Sequence, residues 1–503
     1  MVIIDQNRFG ESLMKVKNYK WIYFLVIFIF LFIFFTDIHP VVVYDTDDWT
    51  YISRARKAIP NILEYNPAKI FPETFSALIG SISTFLVNKI INDYLRSFTI
   101  SYAFVISVFI IVYLLSFFLL IVKKMNIADG KALLVTTVFL LFHFLIFRSN
   151  AYNNIHLFYS KNITCYMNYT VPTLLNSIVV MYLAITQAGK NFFNDKNILK
   201  KGIILLAVYL AIFSNLFCSI ILVSYALSVL FFEFINIICN KIKIIDSVKK
   251  NSLYLLIIAL WTVCLCFEAK GGRASAVGKN LTIHNIFSAI KKLLDMCLKF
   301  NKFFIITCIT IMVVMIVIIF VNKPKKIFND ESVILILNFA LSFFITTAFI
   351  VLLSAKIRLS FLSRADVWIS ISFYAFLVVF LSLAYIITKC NRIVMIIPTL
   401  IIIIFFNINT NGNTFAEPNK SGIPYEMCYT ISEDILNQIK EEYDKGIYEI
   451  ELHVPKYDTS DNWPIAIYGG SRIANTLVEH GIIEKDINIT IVPDKSLNAK
   501  YGI

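Results

Sequence analysis

Residues 21–60 read WIYFLVIFIFLFIFFTDIHPVVVYDTDDWTYISRARKAIP. An apolar run from Trp21 to Thr36 ends abruptly, and the carboxylates Asp45, Asp47 and Asp48 follow shortly after it. The run is slightly short for a bilayer span, and Lys20 at its start lengthens it by snorkelling. No A-x-A-like cleavage site accompanies it, so it reads as an uncleaved signal anchor. Arg8, Lys15, Lys17 and Lys20 precede it. By the positive-inside rule the N-terminus stays in the cytoplasm and the acidic stretch faces out.

The rest of the chain continues in the same character. Of 503 residues, 58% are hydrophobic and 16% charged, with a mean hydropathy of +0.73. An ordinary soluble domain carries roughly 25% charge. The net charge of +13 is no sign of a nucleic-acid partner, because Lys and Arg first sort by membrane side. After the signal anchor, apolar runs recur at 98–122, 132–147, 171–186, 203–213, 219–238, 254–267, 303–321, 333–353, 367–387 and 393–406. Taken as alternating crossings, they place Lys123 and Lys124, Lys241 to Lys250, Lys323 to Lys326, and Lys389 to Arg392 on the cytoplasmic side. The expectation is an all-α polytopic membrane protein of about eleven spans, multi-pass in the plasma membrane. The segment 71–87 is left over. A span there would invert every later loop, and Glu73 and Gly80 weaken it, so it is expected as an amphipathic or re-entrant piece at the outer face.

From residue 407 the composition turns polar, which divides the chain into a membrane domain, 1–406, with a first outer loop at 37–97, and a small extracytoplasmic α/β domain, 407–503. Ser432 starts a helix with Ile435, Leu436, Ile439 and Tyr443 on one face. Ile450, Leu452 and Val454 alternate with Glu449, Glu451 and His453 as a half-buried strand. Residues 464–481, PIAIYGGSRIANTLVEHG, read as strand, glycine turn and helix, and 487–494 as another strand. Most of the nine cysteines lie in spans, and an odd number on outer segments (Cys165, Cys297, Cys428) argues against a disulfide framework.

Two readings compete for the acidic stretch. Asp45 can cap a short helix, with Asp48 three residues on. Alternatively a carboxylate at the membrane surface serves as a general base, its basicity raised by burial and a like-charged neighbour. The outer segments carry more cations than orientation requires: Arg54, Arg56, Lys57, Lys69, Arg148, Lys161, Lys270, Arg273, Lys356, Arg358 and Arg364. Each alone is a headgroup anchor; together they suit a phosphate. Asn168 and Tyr169 in CYMNYTVP (165–172), with His156 upstream, form either a sugar-facing group or an interfacial aromatic belt. The glycines of GGSRIAN (469–475) precede a helix as at anion sites, and equally as in a plain strand–helix turn.

The order of these features resembles the GT-C superfamily of membrane glycosyltransferases, and within it bacterial polytopic glucosyltransferase-type proteins that decorate surface polysaccharides. The carriers of the likeness are the signal anchor, the paired acidic residues in DDWTYI (47–52), the stretch CYMNYTVP and the outer C-terminal domain. The resemblance implies a base at Asp47 or Asp48 and a polyprenyl-phosphate-linked sugar donor. It also implies a glycan or lipid-linked acceptor, and direct displacement with inversion. Arg358 and Arg364, then Arg273, with Lys356 and Lys270 as helpers, are its candidates for the departing phosphate. Asp366 would orient Arg364. Asn168, Tyr169, Trp49 and His156 are its candidates for the sugar or acceptor. No cofactor is required, and a divalent metal is optional. The rivals are a transporter or flippase of lipid-linked sugars, which should place charges inside spans, where Glu233 is the main candidate, and a polymerase of lipid-linked oligosaccharides.

Overall fold

The computed structural model describes residues 6–54, 67–147, 155–194, 196–240, 243–270, 281–321, 330–389, 396–407, 419 and 422–503. Among them, nine helical runs are long and apolar enough to cross a membrane: Tyr19–Ile38, Ile70–Ile91, Tyr94–Met125, Ile163–Thr186, Leu216–Cys239, Ser252–Lys270, Lys302–Val321, Glu331–Ile357 and Ala365–Lys389. The chain is thus a helical multi-pass membrane protein. Helices suit this setting because they satisfy their backbone groups internally, without water.

In chain order the helices used below are α1 (Gln6–Ile33), α2 (Thr46–Tyr51), α3 (Ile70–Ile82), α4 (Tyr94–Met125), α5 (Asp129–Leu145), α6 (Val171–Thr186), α7 (Ile198–Ile212), α8 (Leu216–Asn240), α9 (Ser252–Lys270), α10 (Ile283–Cys297), α11 (Lys302–Val321), α12 (Glu331–Ile357), α13 (Ala365–Lys389) and α14 (Ile396–Asn407). Helix α13 is the axis of the bundle, with nearly every residue to Ile387 buried. Tyr374 donates to the Ile221 carbonyl of α8 at 2.5 Å. Phe376 and Phe380 meet Phe139 and Phe142 of α5 edge-on.

The helix lengths compare with the sequence expectation in two ways. Three of the expected spans are shorter helices among the described residues, α5 with 17 residues, α7 with 15 and α14 with 12. Ile70–Ile91, expected as a non-spanning piece, is a 22-residue apolar helical run by length and composition, and the residues that follow it return to the end of the first span: Asp93 accepts from Tyr429 of the C-terminal segment at 2.6 Å, and Arg96 pairs with Asp37 at 2.8 Å. Pro72 stands in its first turn, where a missing N–H costs nothing. Gly80 sits where a Cβ would overlap the Ile52 carbonyl. The features that weaken this segment as a span on paper thus serve helix entry and close packing. Asn92, in the left-handed region, and the N-cap Asp93 turn the chain into α4. Ser76 then bonds Tyr102, and Phe75 meets Phe109.

The C-terminal segment forms helix α15 (Tyr425–Asp444), strand β1 (Glu449–Pro455), helix α16 (Gly470–Glu479) and strand β2 (Asn488–Asp494). The strands pair in parallel, from Glu449 opposite Asn488 to Pro455 opposite Asp494, so a crossover must join them; α16 supplies it. Helix α15 begins at Tyr425, earlier than the expected start at Ser432, which is buried mid-helix and donates to the Val43 carbonyl at 2.8 Å. The expected strand at 464–467 is absent: the chain there forms a turn ending in a short 3-10 segment, Ile467–Gly469. The reason is that the Pro464 carbonyl and the Ala466 N–H bond Thr46, and so are unavailable to a ladder.

Candidate functional site

The acidic turn is built by capping. Val41 to Tyr44 are buried and belong to no helix or strand, and Asp45 then caps α2, accepting from the Asp47 and Asp48 N–H groups at 3.0 Å each. Asp48 points inward and is fully buried. Its Oδ1 accepts from the Thr164 N–H and hydroxyl, both at 2.8 Å, and its Oδ2 from the Tyr44 N–H at 3.3 Å. Burial, with Asp45 nearby, pushes its carboxyl well above the usual range, while the Thr164 and Tyr44 bonds oppose the rise.

Asp47, one position earlier on the helix, points about 100° away from Asp48. Its side chain is 39% exposed, and its Oδ1 accepts from Arg472 Nη1 of α16 at 2.9 Å. Arg472 lies over the Tyr468 ring, its guanidinium 5.1 Å from the centroid. The C-terminal segment is stitched to α2 on both sides of this pair. Thr46 bonds the Pro464 carbonyl and the Ala466 N–H, and Thr476 donates to the Trp49 carbonyl at 2.5 Å. Tyr44 and Tyr457 share a hydroxyl–hydroxyl bond.

A second cluster adjoins the first through residues 162–165. Asn162 donates to Asp45, Thr164 to Asp48, and the Cys165 sulfur accepts from Arg364 Nη2 at 3.3 Å. Arg364 is forked onto the buried Asp366 through Nε at 2.9 Å and Nη2 at 2.5 Å, and packs over Tyr169, 4.4 Å from the ring centroid. Its Nη1 makes no bond among the described residues. One helical turn further on, Trp368 lines a half-open apolar cavity of about 210 Å³ together with Leu293, Phe300, Phe304, Ile371 and Phe376.

The structure therefore links Asp48 to Arg364 and Tyr169 through residues 162–165 and sets Asn168 beside them, its amide donating to the Thr164 carbonyl at 2.9 Å, whereas Asp47 points away from this group and meets Arg472. The other candidates fall elsewhere. Lys356 and Arg358 are exposed at the end of α12, and their side chains make no hydrogen bond or ion pair among the described residues. Lys270 is exposed at the end of α9. Arg273, Arg56, Lys57 and Arg148 lie outside the described residues. Two of the expected sugar-facing groups are corrected. Trp49, 1% exposed, is part of the core. His156 is buried, its Nε2 3.2 Å from His39 Nδ1 and its ring between Phe34 and Phe144. Burial lowers His39 to about 3 and His156 well below the usual imidazole range, so the pair is neutral packing.

Sequence reasoning missed Arg472, Tyr468 and Thr164. Arg472 stands inside the GGSRIAN stretch, whose two glycines are there for packing: a Cβ on Gly470 would overlap the Ile489 carbonyl, and one on Gly469 would crowd Thr46. Thr164 carries no sequence signal beyond its place beside CYMNYTVP. Compared with known proteins, the chain matches no family model, no curated sequence and no solved structure.

Proposed function

We propose that the protein is a membrane glycosyltransferase. It moves a sugar from a polyprenyl-phosphate donor to a glycan or lipid-linked acceptor at the outer face. The observation that carries the reading is the bridge at 162–165, which joins Asp45 and Asp48 of the acidic turn to the half-used, partly buried guanidinium of Arg364. Asp47 is the base. Geometry precedes basicity in choosing one, and Asp48 is buried with both oxygens engaged, whereas Asp47 keeps Oδ2 unbonded among the described residues. The acceptor hydroxyl gives its proton to Asp47 as its oxygen bonds the anomeric carbon. The carbon–oxygen bond to phosphate breaks with inversion, and the electron pair leaves on the polyprenyl phosphate. Arg364, held rigid by Asp366, offers Nη1 to the charge that grows there. The apolar cavity beyond Trp368 suits the lipid end of such a donor.

A transporter is less well supported. Glu233, the main candidate for a charge inside a span, lies about two turns before the end of α8 and is paired with Lys250 at 3.2 Å beside Ser247. The test is transfer from a radiolabelled polyprenyl-phosphate sugar in proteoliposomes. Asp47→Asn should lower the rate by about 10²- to 10⁴-fold. Arg364→Lys should impair it although charge is kept, because an ammonium lacks the planar fork. Wild-type rates in both variants sink the proposal.

A further inference from the structure

Tyr468 and Arg472 belong to no role yet assigned, although they form the outer wall of the acidic turn. Tyr468 is 49% exposed. Arg472 covers one face of its ring, and its hydroxyl makes no bond among the described residues. The ring stands within electrostatic reach of Asp461, Asp47 and Asp45. Its backbone is fixed from two directions. Gly469 packs on Thr46, and the loop before it is organised by the buried Asn462. Asn462 accepts from the Tyr457 N–H at 2.8 Å and donates to the Pro455 and Ile465 carbonyls at 3.2 and 3.0 Å. An exposed aromatic ring on a loop this constrained is a preorganised platform. Beside it the Arg472–Asp47 pair, joined Nη1 to Oδ1, presents further donors and an acceptor oxygen, the side chains 33% and 39% exposed.

We infer that Tyr468, Arg472 and Asp47 form the acceptor subsite, and that it takes a neutral saccharide. The C–H face of a pyranose packs on an aromatic ring, while vicinal hydroxyls bond a guanidinium–carboxylate pair in parallel. A sugar seated on Tyr468 carries a hydroxyl to Asp47, the base of the transfer reaction on which this inference rests. Asp461, Asp47 and Asp45 outnumber the one cation, Arg472, within electrostatic reach of the ring, and this balance disfavours an acidic sugar, since like charges repel at short range. The C-terminal domain is in this view half of the site: the membrane domain holds the donor phosphate, and the outer domain chooses the acceptor.

The test is saturation-transfer NMR on the full-length protein in detergent, without donor, so that binding is read apart from turnover. The probes are the methyl glycosides of glucose, galactose, mannose, rhamnose and N-acetylglucosamine, with glucuronate as the acidic counterpart. At least one neutral glycoside should show saturation transfer that Tyr468→Ala abolishes and Tyr468→Phe retains, with glucuronate giving none. In the transfer assay Tyr468→Ala should raise the acceptor KM roughly tenfold at unchanged donor KM. The subsite is overturned if no neutral glycoside binds, if Tyr468→Ala binds as well as wild type, or if the acceptor KM is unmoved. Glucuronate binding as strongly as the neutral sugars overturns the chemical class. Loss of transfer with sugar binding intact would instead bear on the donor side, and would leave the acceptor assignment supported.

Discussion

At the scale of single residues, Asp47 and Asp48 do different work despite being neighbours. Asp48 is a buried anchor that collects the N–H groups of Tyr44 and Thr164 and the Thr164 hydroxyl. Asp48→Ala leaves those donors unpaired, at about 1–3 kcal/mol for a buried orphan, and should lower the melting temperature of the detergent-solubilised protein. The pH dependence follows from the raised carboxyl. The folded state binds this proton more tightly than the unfolded chain does. The contribution of Asp48 is therefore full below the unfolded value of about 3.9 and is lost as pH rises through the folded value. Asp48→Asn, which carries no titratable proton, should flatten that part of the melting profile. An unchanged profile in the Asn variant would show that Asp48 titrates normally. Asp47→Asn, half-exposed, should leave the melting temperature nearly unmoved while removing transfer.

At the scale of elements, the acidic turn is held by close approaches that only glycine permits. Gly80 brings α3 against the Ile52 carbonyl at the end of α2. Gly80→Ala forces the two apart, and overpacking of this kind costs about 1–3 kcal/mol or more. Thermal unfolding should register it. Gly202, inside α7 with nothing near its Cβ position, is the control: Gly202→Ala should be neutral or stabilise by about 0.5–1 kcal/mol. A Gly80→Ala variant as stable as wild type would mean that α3 does not pack on α2. Helix α10 shows a different logic. Ala289 and Met296 face the protein, whereas Ile283, Phe287, Leu294 and Leu298 are exposed, with Lys292 and Asp295 on a third side. A helix with protein, apolar and polar sides suits the plane of a membrane interface. A spin label at Phe287 should relax with dissolved oxygen and one at Lys292 with a water-soluble nickel chelate; the reverse would place α10 in water.

At the scale of the whole molecule, the charge distribution predicts the N-terminus inside and the C-terminus outside. Reporter fusions after Ile503 and between Asn322 and Asp330 should report opposite sides of the membrane. A cytoplasmic C-terminus would move the acidic turn with it, because Thr46, Trp49 and Asp47 are bonded to the C-terminal domain. The site and the domain stand or fall on one side together. A polyprenyl-phosphate donor presented outside would then never meet them.

The membrane character, the helix-rich architecture and the capping role of Asp45 were legible in the sequence, because each rests on local information: run length, charge at run ends, and a carboxylate two and three residues before the N–H groups that donate to it. The two strands of the C-terminal segment were legible for the same reason, the first through alternation in 449–455, the second as the short β-branched run within 487–494. Three things required the folded chain. The 464–467 segment has strand composition, yet its backbone bonds go to Thr46, some 420 residues away in sequence. The run from Ile70 carries Glu73 and Gly80, yet it is an apolar helical run whose glycine is a packing contact. The choice between Asp47 and Asp48 was likewise undecidable from adjacency. One carboxylate is buried against Thr164 and the other meets Arg472, and both partners arrive from distant helices. Propensity and hydropathy act within a few residues, whereas burial and ion pairing depend on which surfaces the whole fold presses together.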